Sequence, residues 1–111
     1  MIAAHVPPPA GVQPPPLWGT EARLQELFGA AASSIEVTRR QFHFRYRSAA
    51  HWVQVFRELY GPTHKAFAAL DAQGAQSLER AITALLDELN VAGPQSLVVP
   101  SEYLEVVITK Q

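Results

Sequence analysis

The 111-residue chain has no cysteine. That removes disulfides, thiolate metal ligands and thiol nucleophiles from the reading. It also has no apolar run approaching the roughly 20 residues that a membrane-crossing helix needs. The opening Met-Ile-Ala-Ala-His-Val has neither the basic start nor the long apolar stretch of a signal peptide. The expectation is a cytoplasmic protein without a membrane partner. Charge is sparse and nearly balanced, with 9 basic and 10 acidic residues and a formal net charge of −1. Nothing in that balance calls for nucleic acid or an anionic surface. The four histidines, His5, His43, His51 and His64, stand at no ligand-like spacing, so no metal site is expected. No GxSxG elbow accompanies the serines. Glu102 and Glu105 lie three apart, which on a strand sends them to opposite faces and argues against paired carboxylates. No catalytic residue is assigned from spacing.

What the chain does have begins with proline. Six of its nine prolines fall in PPPAGVQPPP, residues 7–16. Proline lacks the amide hydrogen and fixes φ, so this stretch is expected to be extended, polyproline-like chain. Residues 1–19 read as a connector, with a ligand for a proline-recognition module as the alternative. Residues 20–111 read as the folded segment.

The centre of that segment is QFHFRYRSAAHWVQVFRELYGP, residues 41–62. Phe42, Phe44 and Tyr46 alternate with Gln41, His43, Arg45 and Arg47, which predicts a strand with one buried face. After Ser48, a good N-cap, Trp52, Val53, Phe56, Leu59 and Tyr60 recur at helical spacing. Gly61-Pro62 is expected to stop that helix. Upstream, Thr20 caps a helix to Phe28, with Gly29 as a left-handed stop, and the strand begins near Ile35. Ile35 and Val37 share odd parity whereas the later aromatics are even, so the apolar phase slips near residues 39–41, as at a bulge. Four arginines, Arg39, Arg40, Arg45 and Arg47, suit a charged edge strand. Downstream, a short helix is expected over 63–70, a break at Gly74, and a helix over 75–89 with the stripe Leu78, Ile82, Leu85, Leu86 and Leu89. Pro100 interrupts the last apolar run. The following strand, 103–109, has Leu104, Val106 and Ile108 on one face and Tyr103 and Val107 on the other, which predicts an interior strand with two neighbours.

Three segments, PPPLWGTEARLQELFG, RRQFHFRYRSAAHWVQVFRELYGPTHKAF and VVPSEYLEVVITK, together resemble the C-terminal part of class I S-adenosylmethionine-dependent methyltransferases. The resemblance covers nearly the whole chain from about His5. It implies an α/β protein, α+β as this chain stands: the C-terminal part of a Rossmann-like methyltransferase fold. Two antiparallel edge strands, about 35–47 and 103–109, would be the sixth and seventh of that sheet, accompanied by three or four helices. The resemblance places Trp52, Phe56, Tyr60 and His64 on the substrate side. Those aromatics also read as core residues at helix spacing, and His64 as a surface residue or a general base. The family uses S-adenosylmethionine, held by a glycine-rich turn after its first strand and an acidic residue ending its second. The six glycines here are scattered, without GxGxxG or GxG, so no cofactor-binding residue carries over and none is expected for this chain alone. The implied partner is an N-terminal cofactor half. The alternative is a stand-alone α+β binding or dimerisation module whose 103–109 edge pairs with another copy. FHFRYR also allows an RNA-stacking strand, but the flanking glycines and the basic balance of such strands are missing.

Overall fold

A computed structural model describes residues 2–111. The described residues are α+β, with five α-helices, two 3-10 turns and one two-stranded antiparallel sheet. The helices are α1, Ile2–His5; α2, Glu21–Phe28; α3, Ala49–Leu59; α4, Gly61–Ala68; and α5, Ala72–Leu89. The strands are β1, Ala32–Tyr46, and β2, Leu97–Lys110. Their antiparallel register is fixed at the open end, where the Gln111 amide donates to the Ala31 carbonyl at 3.0 Å and the Ser33 hydroxyl to the Thr109 carbonyl at 3.2 Å.

The chain divides into two compact units. The larger takes His43–Pro100 with the N-terminal residues up to Ala10. Its core is Ala49 and Val53 of α3, Ala66 and Phe67 of α4, Leu78, Ile82 and Leu86 of α5, and Leu97 and Val99 of β2. Leu78 is fully buried, as the 3.6-residue stripe requires. Leu85 and Leu89, assigned to the same stripe by their sequence positions, are instead exposed. The apolar arc that α3, α4 and β2 cover is narrower than the arc the sequence offers. The first residues do more than extend the chain. Ile2 and Val6 pack against this core, and α1 meets α4 and α5.

The smaller unit takes Gly11–Phe42 and Ser101–Gln111. Leu24 on α2 is its one buried hydrophobic residue among those described. Trp18 and Phe28 meet as tilted rings 6.2 Å apart. The Thr20 hydroxyl accepts from the Arg23 amide and donates to the Leu17 carbonyl, so it caps α2 and closes the preceding turn together. Cross-strand ion pairs join Arg39 to Glu102 at 2.7 Å and Arg40 to Glu105 at 3.3 Å.

Several boundaries differ from the sequence expectations, each for a local reason. Pro15 and Pro16 open a 3-10 turn, Pro15–Gly19, because a first-turn position needs no amide donor. Gly29 is right-handed (φ −56°) and continues into the turn Gly29–Ala31 rather than adopting a left-handed stop. Gly61-Pro62 opens α4; the break from α3 falls on the extended Tyr60. Gly74 lies inside α5, because the Asp71 carboxylate accepts its amide at 2.7 Å and starts the helix early. Pro100 sits within β2, which starts at Leu97 rather than at 103. In a two-stranded sheet every strand has an open side where a missing donor is tolerated. β2 pairs with β1 alone among the described residues, so it is not the interior strand its pattern predicts. Tyr103 and Val107 are accordingly half exposed, at 50% and 54%. The phase slip is visible as a run of exposed residues, 38–43, between half-buried Val37 and half-buried Phe44, and it includes Phe42.

Candidate functional site

The site is built where β1 runs into α3. Ser48, in extended backbone, caps α3 with its hydroxyl accepting from the His51 amide at 3.1 Å, so the aromatic strand and the aromatic helix are separated by two residues, Arg47 and Ser48. This brings two sets of rings together. Phe56 is their hub. It stacks on Trp52 with centroids 3.9 Å apart and planes at 11°, and it meets Phe44, Tyr46 and Tyr60 edge-on at 6.3, 6.2 and 5.2 Å. Each such pair contributes about 0.5–1.5 kcal/mol beyond burial. Trp52 and Phe56 are half-buried and Tyr60 is exposed, so the ladder runs from partly covered rings to the surface.

Of the four residues singled out by resemblance, Trp52 and Phe56 therefore stand together on α3, with Tyr60 beside them at its C-cap. His64 stands apart. Its Nδ1 lies 3.0 Å from the Arg57 carbonyl, to which it donates, and it lines a recess of about 510 Å³ with Ala50, Val53, Gln54, Glu58 and Glu79. Arg57 borders that recess, its guanidinium 4.6 Å above the Phe67 ring and 3.9 Å from the Glu79 carboxylate. No ring of the aromatic ladder lines the recess.

A second recess, of about 600 Å³, lies at the strand-to-helix junction and was not singled out from the sequence. It is lined by Arg45, Tyr46, Arg47, His51, Gln95 and Ser96. Its signal was present in the sequence alternation that sets Arg45 and Arg47 at the same parity, although β1 itself ends at Tyr46. The far wall, residues 95–96, comes from a turn that periodicity does not describe.

The strand-to-helix junction among the described residues differs from the glycine-rich turn of the resembled family. The β1-to-α3 junction carries no glycine, only Arg47-Ser48. The two glycines with positive φ, Gly11 and Gly93, do not sit between a strand and a following helix; Gly93 leads from α5 into β2. Among the described residues no three histidine or carboxylate side chains cluster as metal ligands, and no helix is long and apolar enough to cross a membrane.

No protein-family model matches the chain, and no curated protein matches it in sequence.

Proposed function

We propose that this chain is a C-terminal segment of a class I S-adenosylmethionine-dependent methyltransferase, providing the edge strands and a substrate-side wall, and that it is inactive without a cofactor-binding half. The observation that carries the reading is β2. It is long, it is apolar on both faces, and it pairs on one side only, leaving Tyr103, Val107 and Ile108 exposed beside an open edge. An open apolar edge is a template for strand addition. The connection supports the same reading. β1 leaves through a helical segment, α3 to α5, and returns as an antiparallel β2. That order agrees with the last two strands of a Rossmann-like methyltransferase sheet. In this arrangement the ladder Trp52, Phe56 and Tyr60 provides the acceptor-side wall, because it presents rings on a rigid helix next to the strand end. The donor site and the chemistry belong to the other half.

The test is reconstitution. The full chain is mixed with a separately produced cofactor half of a class I methyltransferase, ending before its sixth strand. A 1:1 complex that binds S-adenosylmethionine, where the chain alone gives no heat at about 1 mM ligand, is the expected result. A chain that ignores the cofactor half and instead forms a stable homodimer through residues 103–109 would overturn the reading in favour of a self-associating module.

A further inference from the structure

We propose that the recess at the β1–α3 junction is an oxyanion site, taking the carboxylate or phosphate group of a small ligand. The inference stands on this recess alone and does not depend on the methyltransferase reading.

β1 and its junction with α3 carry four arginines, Arg39, Arg40, Arg45 and Arg47. Arg39 and Arg40 each meet a carboxylate across the sheet. Arg45 and Arg47 form no ion pair among the described residues, yet both line the same recess. Arg45 lies near the end of β1 and Arg47 immediately after it, two residues on in sequence, so two like charges are held close together. No aspartate or glutamate is among the residues that line the recess. A chain with a net charge of −1 therefore concentrates uncompensated positive charge at one concave place.

The third group is His51. The Arg47 backbone amide donates to His51 Nδ1 at 3.3 Å, and the ring packs edge-on against Tyr46 at 5.5 Å. With Nδ1 accepting, the neutral ring carries its hydrogen on Nε2 and offers a donor there. Three of the residues that line the recess therefore carry donor groups, two guanidinium forks and an imidazole. Guanidinium forks match the paired oxygens of carboxylate and phosphate. Ser96 and Gln95 on the opposite wall add hydroxyl and amide groups.

The experiment is an amide chemical-shift titration of the full chain with inorganic phosphate and, separately, with benzoate, at ionic strength held constant with sodium chloride. Saturable shifts centred on Arg45, Arg47 and His51 are expected for at least one probe. Saturation by phosphate alone identifies a phosphate site; saturation by benzoate alone identifies a carboxylate site. Arg47→Gln and Arg45→Gln should each weaken binding at least tenfold. Arg80→Gln, which alters an exposed arginine on α5, should leave it within twofold. All three positions are exposed, and an unchanged amide spectrum in the absence of probe verifies each fold. Shifts that grow linearly with both probes, or an equal loss in Arg80→Gln, would overturn the proposal, because either would mean diffuse charge screening rather than a site.

Discussion

Replacing Asn90 with alanine should be among the most damaging polar substitutions in this chain. Asn90 follows α5 as its C-cap, and its side-chain amide makes four hydrogen bonds. Nδ2 donates to the Gly93 carbonyl at 2.9 Å and the Ser96 carbonyl at 2.8 Å, while Oδ1 accepts from the Ala92 and Val98 amides, each at 3.0 Å. The side chain thus writes the turn that carries the chain from α5, through the left-handed Gly93 (φ 80°), into β2. Leu97 and Val99, both core residues, lie at the end of that turn. An average intramolecular hydrogen bond contributes about 0.5–1.5 kcal/mol net. The bonds to Ser96 and Val98 are part-buried and should count in full; those to Gly93 and Ala92 are exposed and partly replaced by water. Asn90→Ala should therefore cost roughly 2–4 kcal/mol and lower the melting temperature on the order of 10–20 °C. Asn90→Asp separates chemistry from shape. It keeps the volume but places an oxygen against two carbonyls, so it should destabilise about as much as alanine. Thermal and urea unfolding of the three proteins measure this. A loss below about 1 kcal/mol for Asn90→Ala, or a neutral Asn90→Asp, would refute the reasoning.

Other substitutions follow the same logic. Leu78→Ala should cost about 2–5 kcal/mol because the side chain is fully buried, whereas Leu89→Ala, 45% exposed on the same helix, should cost under about 1 kcal/mol; paired urea curves distinguish them. Asp71→Ala should remove about 1 kcal/mol by freeing the Gly74 amide, and the lost helicity should be confined to the first turn of α5, readable in amide exchange. Arg39→Ala should cost less than about 1 kcal/mol despite the short contact to Glu102, because both side chains are more than half exposed, and the cost should shrink further in 0.5 M salt.

Much of the secondary structure was legible because it follows from local chemistry. The change from period two to period 3.6 at Ser48 marks the β1–α3 junction, and the structure places the cap on that residue. Thr20 and Phe28 bound α2 as their types suggest. The misplacements share a cause. Glycine and proline were read as breaks at Gly61-Pro62, Gly74 and Pro100, yet each is tolerated where the element is beginning or has an open side. Asp71 was the missed signal, an N-cap three residues before Gly74. The role of Asn90 has no signature in the sequence, since four convergent bonds from one amide leave no periodic trace. In β2, periodicity identified apolar residues at 103–109 but not which of them are covered, because burial depends on the number of neighbouring strands. The buried residues, Leu97 and Val99, lie before the proline. At the candidate site, helical spacing brought Trp52, Phe56 and Tyr60 together, but it could not foretell that the first turn of α4 would hand the His64 ring to the Arg57 carbonyl.

The central claim is that β2 is built to receive another strand. Hydrogen exchange of the amides between residues 103 and 109 tests it most directly. In an antiparallel pair successive amides alternate between the partner strand and the open side. In the isolated chain alternate amides should be protected by β1, and the others should exchange rapidly. Adding the cofactor half should slow the second set by at least a hundredfold while leaving the first set nearly unchanged. Open-side amides that remain fast although a complex has formed would contradict the account, as would uniform protection of all seven in a monomeric chain.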